Sequence, residues 1–219
     1  EAYCKKILRD FVKHLKGRKP VSTPGDRNKK LSKEQCVEVE PGQDTAFPLA
    51  SAVGALLYLA RQTRPDISYV VAIVSRYVKA PGPEHWEAAM RIFCYLMKTT
   101  HYRIRLGGSH AILYAYGDAN LAGDCGGKTD SHRSMSGSIY FLADGPIEWG
   151  ANTQKRVALS TSAAEATAMY YTAVSQAEVN VLSFRYILKE ISCEQRLPTY
   201  MFCDNKLSLI HISEPTRLA

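Results

Sequence analysis

The spacing of apolar residues changes once along this chain, near residue 107, and that change sets what each part can fold into. Before it, Tyr3, Ile7, Phe11 and Leu15 recur every four residues with basic residues between them, the single apolar stripe of an amphipathic helix ending near Gly17. Residues 49–60, 66–78 and 84–98 read as three more helices. Ile67, Val70, Val71, Val74 and Tyr77 share one face of the second, and Trp86, Met90, Phe93 and Met97 one face of the third. Pro65 and Pro83 stand at helix starts, where a missing N–H costs nothing. Beyond residue 111 the pattern shortens. Residues 112–116 form an apolar run closed by Gly117 and Asp118, and residues 138–143 lead through Asp144-Gly145 into residues 146–149, a hairpin signature. Residues 157–159 are expected to continue as a strand. Ser162 opens a helical pattern through Met169, Ala173, Ala177, Val181, Phe184 and Leu188 to about Glu190, as one long helix or two abutting ones. Pro198 precedes a strand at 199–203, and Asp204-Asn205 can cap a further helix. The order strand, strand, strand, helix, strand, helix predicts an α/β fold with a mixed sheet, behind a mostly helical segment.

With 219 residues, 46% of them hydrophobic, the chain suffices for one or two globular domains. Residues 19–43 gather Pro20, Pro24, Gly25, Asp26, Asn28, Pro41 and Gly42 with little periodicity and read as a linker at a domain joint. No run approaches the roughly 18 to 20 apolar residues of a bilayer span. The first nine residues lack the basic-then-apolar order of a signal peptide, so a soluble, intracellular, cytoplasmic setting is expected. The six cysteines are scattered with no CxxC pair, which predicts reduced thiols serving mostly as core filler. The net charge of +7 is split: residues 1–106 carry +9 and residues 107–219 carry −2. A basic first part suits a phosphate backbone, and a slightly acidic second part suits carboxylates gathered for metal chemistry.

Three acids stand at telling places: Asp118 at the end of the first strand, Glu165 in the first turn of the helix, and Asp204 at the end of the next strand. Each has a local explanation. Asp118 can be a turn residue, Asp204 a helix N-cap, and Ser162-Ala163-Ala164-Glu165 has the spacing of a capping box. Together, however, two neighbouring strand ends and a helix start on one sheet can converge, and converging carboxylates repel unless a cation lies between them. Mg²⁺ or Mn²⁺ suits such an oxygen-only site, and two such ions activate a water and stabilise the leaving oxygen of a phosphodiester. Other candidates are weaker. No G-x-S-x-G elbow surrounds Ser160, Thr161 and Ser162, and Asp124, Cys125 and His132 match no usual zinc spacing.

Tyr116-Gly117-Asp118-Ala119-Asn120, Ser134-Met135-Ser136-Gly137, Gly145-Pro146-Ile147-Glu148-Trp149, Val157-Ala158-Leu159-Ser160 through Glu165, and Cys203-Asp204-Asn205 resemble, in order and spacing, the ribonuclease H domains of copia-type retrotransposons. Upstream, Lys19-Pro20-Val21-Ser22-Thr23-Pro24, Val53-Gly54-Ala55-Leu56-Leu57-Tyr58-Leu59, Thr63-Arg64-Pro65-Asp66-Ile67 and His85-Trp86 resemble the end of the same elements' reverse transcriptase. The resemblance covers about residues 3–208. It implies a ribonuclease H-like mixed sheet preceded by a helical reverse-transcriptase thumb or connection segment. It also implies Asp118, Glu165 and Asp204 as metal-binding catalytic acids, Mg²⁺ or Mn²⁺ as cofactor, and an RNA/DNA hybrid or duplex and the remainder of Pol as partners. The implied division is 1–43 (end of reverse transcriptase and linker), 44–106 (helical thumb or connection), 107–206 (incomplete ribonuclease H) and 207–219 (tail). Polymerase activity is not implied, because the paired-aspartate motif is absent.

Asn120, Leu121 and Ala163 depart from the family's usual Asp, Trp and Glu. A fourth acid expected well beyond Cys203 has no counterpart, since Glu214 does not match its place. Residues 207–217 resemble the translation of a sequencing-library adapter, so the tail is expected to be non-native sequence. The corresponding expectation is little cleavage by the chain alone, and the competing reading is a catalytically dead nucleic-acid-binding remnant.

Overall fold

The computed structural model describes residues 1–37, 47–108, 110–121, 132–174 and 180–204. They fall into two compact units that divide near residue 104.

The first unit is helical: α1 (Ala2–Asp10), α2 (Val12–Leu15), α3 (Leu49–Thr63), α4 (Pro65–Ser75) and α5 (Pro83–Lys98), with a short 3-10 turn at Lys33–Gln35. The expected first stripe is present but broken. The helix kinks at Phe11 (φ −100, ψ 12), which lets Cys4, Ile7, Phe11 and Leu15 all bury while following the core's curvature. Pro65 and Pro83 open α4 and α5 as their fixed φ favours. α5 is the centre of the unit and touches every other helix, with Met90, Ile92, Phe93 and Leu96 fully buried.

Residues 19–37, expected as an open linker, are a strap packed onto these helices; residues 38–43 lie outside the described set. Val21 N–H donates to the Cys94 carbonyl, Tyr77 Oη to the Leu31 carbonyl, and Leu31 and Ser32 are buried. His85, wholly buried, stacks on Tyr77 at 4.2 Å. Its Nδ1 accepts from Gly82 N–H and its Nε2 lies 3.1 Å from the Ser32 carbonyl, so the ring is neutral with its proton on Nε2. The strap runs so close that a Cβ on Gly82 would stand 1.8 Å from the Gln35 carbonyl oxygen. Gly82→Ala is therefore expected to lift the strap and lower the unfolding midpoint, by about 1 to 3 kcal/mol in overpacking cost. An unchanged denaturation curve would show that the strap does not contribute.

The second unit is a mixed α/β structure with a four-stranded sheet in the order β3-β2-β1-β4. β1 (Leu113–Asn120) pairs antiparallel with β2 (Met135–Leu142) and parallel with β4 (Tyr200–Phe202), and β2 pairs antiparallel with β3 (Gly145–Thr153). The expected hairpin is present with its turn one residue earlier: Ala143 (φ 51) and Asp144 (φ 60) take the left-handed conformation that matches strand twist. Residues 157–159 are not a strand. The chain bends at Lys155 and Arg156, and Val157 and Leu159 are exposed and pair with no strand among the described residues. The helical stretch is two helices, α6 (Thr161–Val174) and α7 (Val181–Glu190), the second capped by Asn180, whose Oδ1 accepts from Ser183 N–H at 3.0 Å. α6 can lie close on the sheet because Gly117 has no side chain. A Cβ there would come within 2.9 Å of Met169 Sδ and Thr172 Oγ1. The opposite face carries Tyr114, Tyr116, Phe141 and Phe202, with Tyr114 on Phe141 at 5.0 Å and Tyr116 on Phe202 at 4.9 Å.

Candidate metal centre

Glu165, expected in the first turn of its helix, is the fifth residue of α6 and lies just past that turn, which sets it in place. Ser160 caps that turn: its Oγ accepts from Ala163 N–H at 3.1 Å and its carbonyl from Ala164 N–H. The expected capping box between Ser162 and Glu165 is thus not formed, because the helix begins two residues earlier than that box requires. Gln154 pins the same turn to the sheet, its Nε2 donating to the Ala164 carbonyl at 2.8 Å and to Ser136 Oγ at 2.9 Å. The Glu165 carboxylate is left free of capping duty. Its Oε2 is buried and accepts no hydrogen bond among the described residues.

At the end of β4 the chain presents Cys203 and Asp204. One ligand atom each from Glu165, Cys203 and Asp204 lie within 4.8 Å of one another, with the first two half-buried and Asp204 exposed. Two of the three acids marked from sequence thus come together, joined by a thiol. Asp118 stands outside this group. It is not a turn residue, since β1 continues through it to Asn120, and its exposed carboxylate accepts from Ala119 N–H at 2.7 Å. The parallel register pairs Tyr116 with Phe202, the last residue of β4, so Asp118 lies two residues beyond the final pair on β1 and Asp204 two residues beyond it on the neighbouring segment. Backbones of adjacent strands lie about 4.8 Å apart. Strand alternation puts Asp118 on the side of Tyr116, whereas α6 covers the side of Gly117.

Two of these residues had weak sequence signals. Cys203 reads as core filler until its neighbour Asp204 is placed, and a glutamine after a strand, such as Gln154, has no motif to mark it as the residue positioning a helix. Asp124, Cys125, Asn205, His211 and Glu214 lie outside the described residues. The five described cysteines, Cys4, Cys36, Cys94, Cys193 and Cys203, are free thiols. Among the described residues, no helix is long and apolar enough to cross a membrane.

Comparison with known proteins decides the kinship. Over 211 residues, 95% of its length, the chain is 37% identical to the retrovirus-related Pol polyprotein from transposon TNT 1-94 of Nicotiana tabacum. It is homologous to a segment of retrotransposon Pol. A second Pol polyprotein, from transposon RE2 of Arabidopsis thaliana, is 34% identical over 85% of this chain. The chain spans only 15% and 12% of the lengths of these two Pol polyproteins. Secreted RxLR effector protein 161 of Plasmopara viticola is 38% identical over 131 residues, 59% of this chain and 86% of that protein, so this chain and that effector belong to one sequence family. No family model matches this chain, and no solved structure matches it significantly.

Proposed function

We propose that this Pol segment is a ribonuclease H domain joined to the end of a reverse transcriptase, and that it hydrolyses the RNA strand of RNA/DNA hybrids in the cytoplasm with Mg²⁺ or Mn²⁺. The observation that carries the reading is the pairing of Glu165 and Asp204 at one end of the sheet, with Glu165 Oε2 buried and accepting no hydrogen bond among the described residues. An ionised carboxylate oxygen buried without a donor is costly, and a cation between the two acids would offset that cost. The donor set therefore fits a divalent ion. When bound, such an ion activates a water and stabilises the leaving oxygen of a phosphodiester. Glu165 and Asp204 would hold the ion. For Asp118, which strand alternation puts on the face opposite α6, to join them, the end of β1 would have to twist and its bond to Ala119 N–H break. The hybrid is distinguished from DNA duplex through contacts to the 2′-hydroxyls of one strand.

The test is a hybrid labelled separately on each strand, incubated with the segment carried in its parent polyprotein and with Mg²⁺ or Mn²⁺. Cleavage confined to the RNA strand and lost in Asp118→Asn is expected. Equal cleavage by Asp118→Asn would assign the activity to another nuclease.

Asp118's place outside the cluster favours a second reading, a nucleic-acid-binding segment without catalysis. Both readings share the basic helical unit, where Lys5, Lys6, Lys13 and Lys16 are exposed. Binding to duplex or hybrid is expected to weaken steeply with salt, because phosphate contacts release counterions. Charge reversal of the four lysines should reduce the salt slope without altering sequence preference. A flat affinity between low and moderate salt would contradict the interface.

A further inference from the structure

We propose that Cys203 makes the Glu165–Asp204 pair a binding site for a thiophilic divalent ion, Zn²⁺ or Cd²⁺, which excludes the oxygen-seeking ion and so shuts the site off. The inference rests on the reading above for which ion is displaced. Its basis is a mixed donor set: one sulfur and two carboxylate oxygens, mutually within 4.8 Å. Among the described residues, no other set of three such side chains comes together.

Zinc holds sulfur at about 2.3 Å and carboxylate oxygen at about 2.0 to 2.2 Å, so three tetrahedral ligands stand roughly 3.5 Å apart. The observed separations require only side-chain closure of about an ångström. The chain permits it. The ladder between β1 and β4 ends at Phe202, so Cys203 and Asp204 are not held by strand pairing. The hydrogen bond from Cys203 Sγ is a weak contact to Asp204 Oδ1 at 4.0 Å. Glu165, one of the three donors, has its Oε2 buried and accepting no hydrogen bond among the described residues, so no such bond has to break for it to take an ion.

Softness decides which ion benefits. Mg²⁺ takes oxygen and gains nothing from a thiol, whereas thiolate selects zinc-like ions. On binding, the Cys203 thiol gives its proton to solvent and the thiolate donates an electron pair to the ion, so no oxidant or reductant is needed. Neither Cys4 nor Cys94, both buried, nor Cys36 or Cys193 belongs to this group.

The experiment titrates the full chain with Cd²⁺, reading the sulfur-to-cadmium charge-transfer band in the ultraviolet, and follows release of pre-bound Mn²⁺ by its paramagnetic resonance signal. The wild-type chain is expected to develop the band as Mn²⁺ is released. Cys203→Ser should lose that band and weaken Cd²⁺ binding by at least the roughly 10- to 100-fold that loss of even an outer-shell partner costs. Its Mn²⁺ affinity should be unchanged. Equal Cd²⁺ binding and an equal band in Cys203→Ser, with Mn²⁺ still bound through the acids, would overturn this inference and leave the nuclease reading standing. Absence of both Mn²⁺ and Cd²⁺ binding would overturn both.

Discussion

Replacing Arg64 with alanine is expected to cost the helical unit about 3 to 5 kcal/mol, the range for breaking a buried ion pair from one side. Arg64 sits between α3 and α4 with its side chain 4% exposed. Its Nε and Nη2 donate to Asp66 at 2.9 and 2.7 Å, and its Nη1 and Nη2 donate to the Thr99 carbonyl and Oγ1 at 3.0 and 2.6 Å. The guanidinium also lies 5.5 Å from the ring centres of Tyr95 and Tyr102. Burial opposes its charge, yet the hydrogen bonds and charge of Asp66 outweigh that, and the Arg64 pKa stays above its ordinary value. Burial, followed by the bond to Asp66, pushes Tyr95 up to about 12, so its hydroxyl remains a donor to Asp66 at 2.8 Å. Lysine would not restore the fork, because one ammonium cannot serve Asp66 and Thr99 in two directions. Arg18→Ala provides the comparison. It removes a two-bond contact to Glu87 on the surface, which should cost no more than about 1 kcal/mol. Chemical denaturation of both variants checks the contrast, and equal losses would refute the keystone role given to Arg64.

Glu165→Gln is expected to move stability in opposite directions depending on the ion present. Without divalent metal the variant should be more stable than the parent, by up to the roughly 1 to 3 kcal/mol that a buried unsatisfied acceptor costs. The reason is local. Glu165 Oε2 has no donor among the described residues, and an amide of the same volume can turn an N–H toward the neighbouring Asp204 carboxylate. With Mn²⁺ at about a hundred times its dissociation constant, the parent gains about 2.7 kcal/mol by mass action, and the variant should gain none. Thermal unfolding with and without Mn²⁺ measures both effects. A metal-free loss of stability in Glu165→Gln would mean that the carboxylate has a partner and that the site needs no ion.

Much of this arrangement was legible from periodicity. The apolar faces of α3, α4 and α5, the change to strands after residue 111, and the positions of Glu165 near the start of α6 and Asp204 just past β4 follow from residue spacing, whereas Asp118, expected at the end of a strand, lies inside β1, which runs on to Asn120. What was not legible depended on tertiary contacts. Residues 19–37 read as linker because proline and glycine break local periodicity, yet Tyr77, His85 and Cys94, distant in sequence, hold them in place. Residues 157–159 are apolar enough for a strand, but a strand needs a partner and none among the described residues pairs with them. The helix start shifted from Ser162 to Ser160 because both serines can cap and the sheet, through Gln154, selects the turn. Cys203 was hidden for another reason: a thiol's role is set by its neighbours, and Glu165 lies 38 positions away in the chain.

The most direct test of the central claim, that Glu165 on α6 and Asp204 just past β4 hold the working ion of a nuclease site, is the binding of Mn²⁺ counted by the loss of its free paramagnetic resonance signal. The wild-type chain and Asp204→Asn should be titrated side by side. The account predicts saturable Mn²⁺ binding to the wild type and its loss in Asp204→Asn, with both proteins giving the same far-ultraviolet circular dichroism. Undiminished Mn²⁺ binding by a correctly folded Asp204→Asn chain would contradict it.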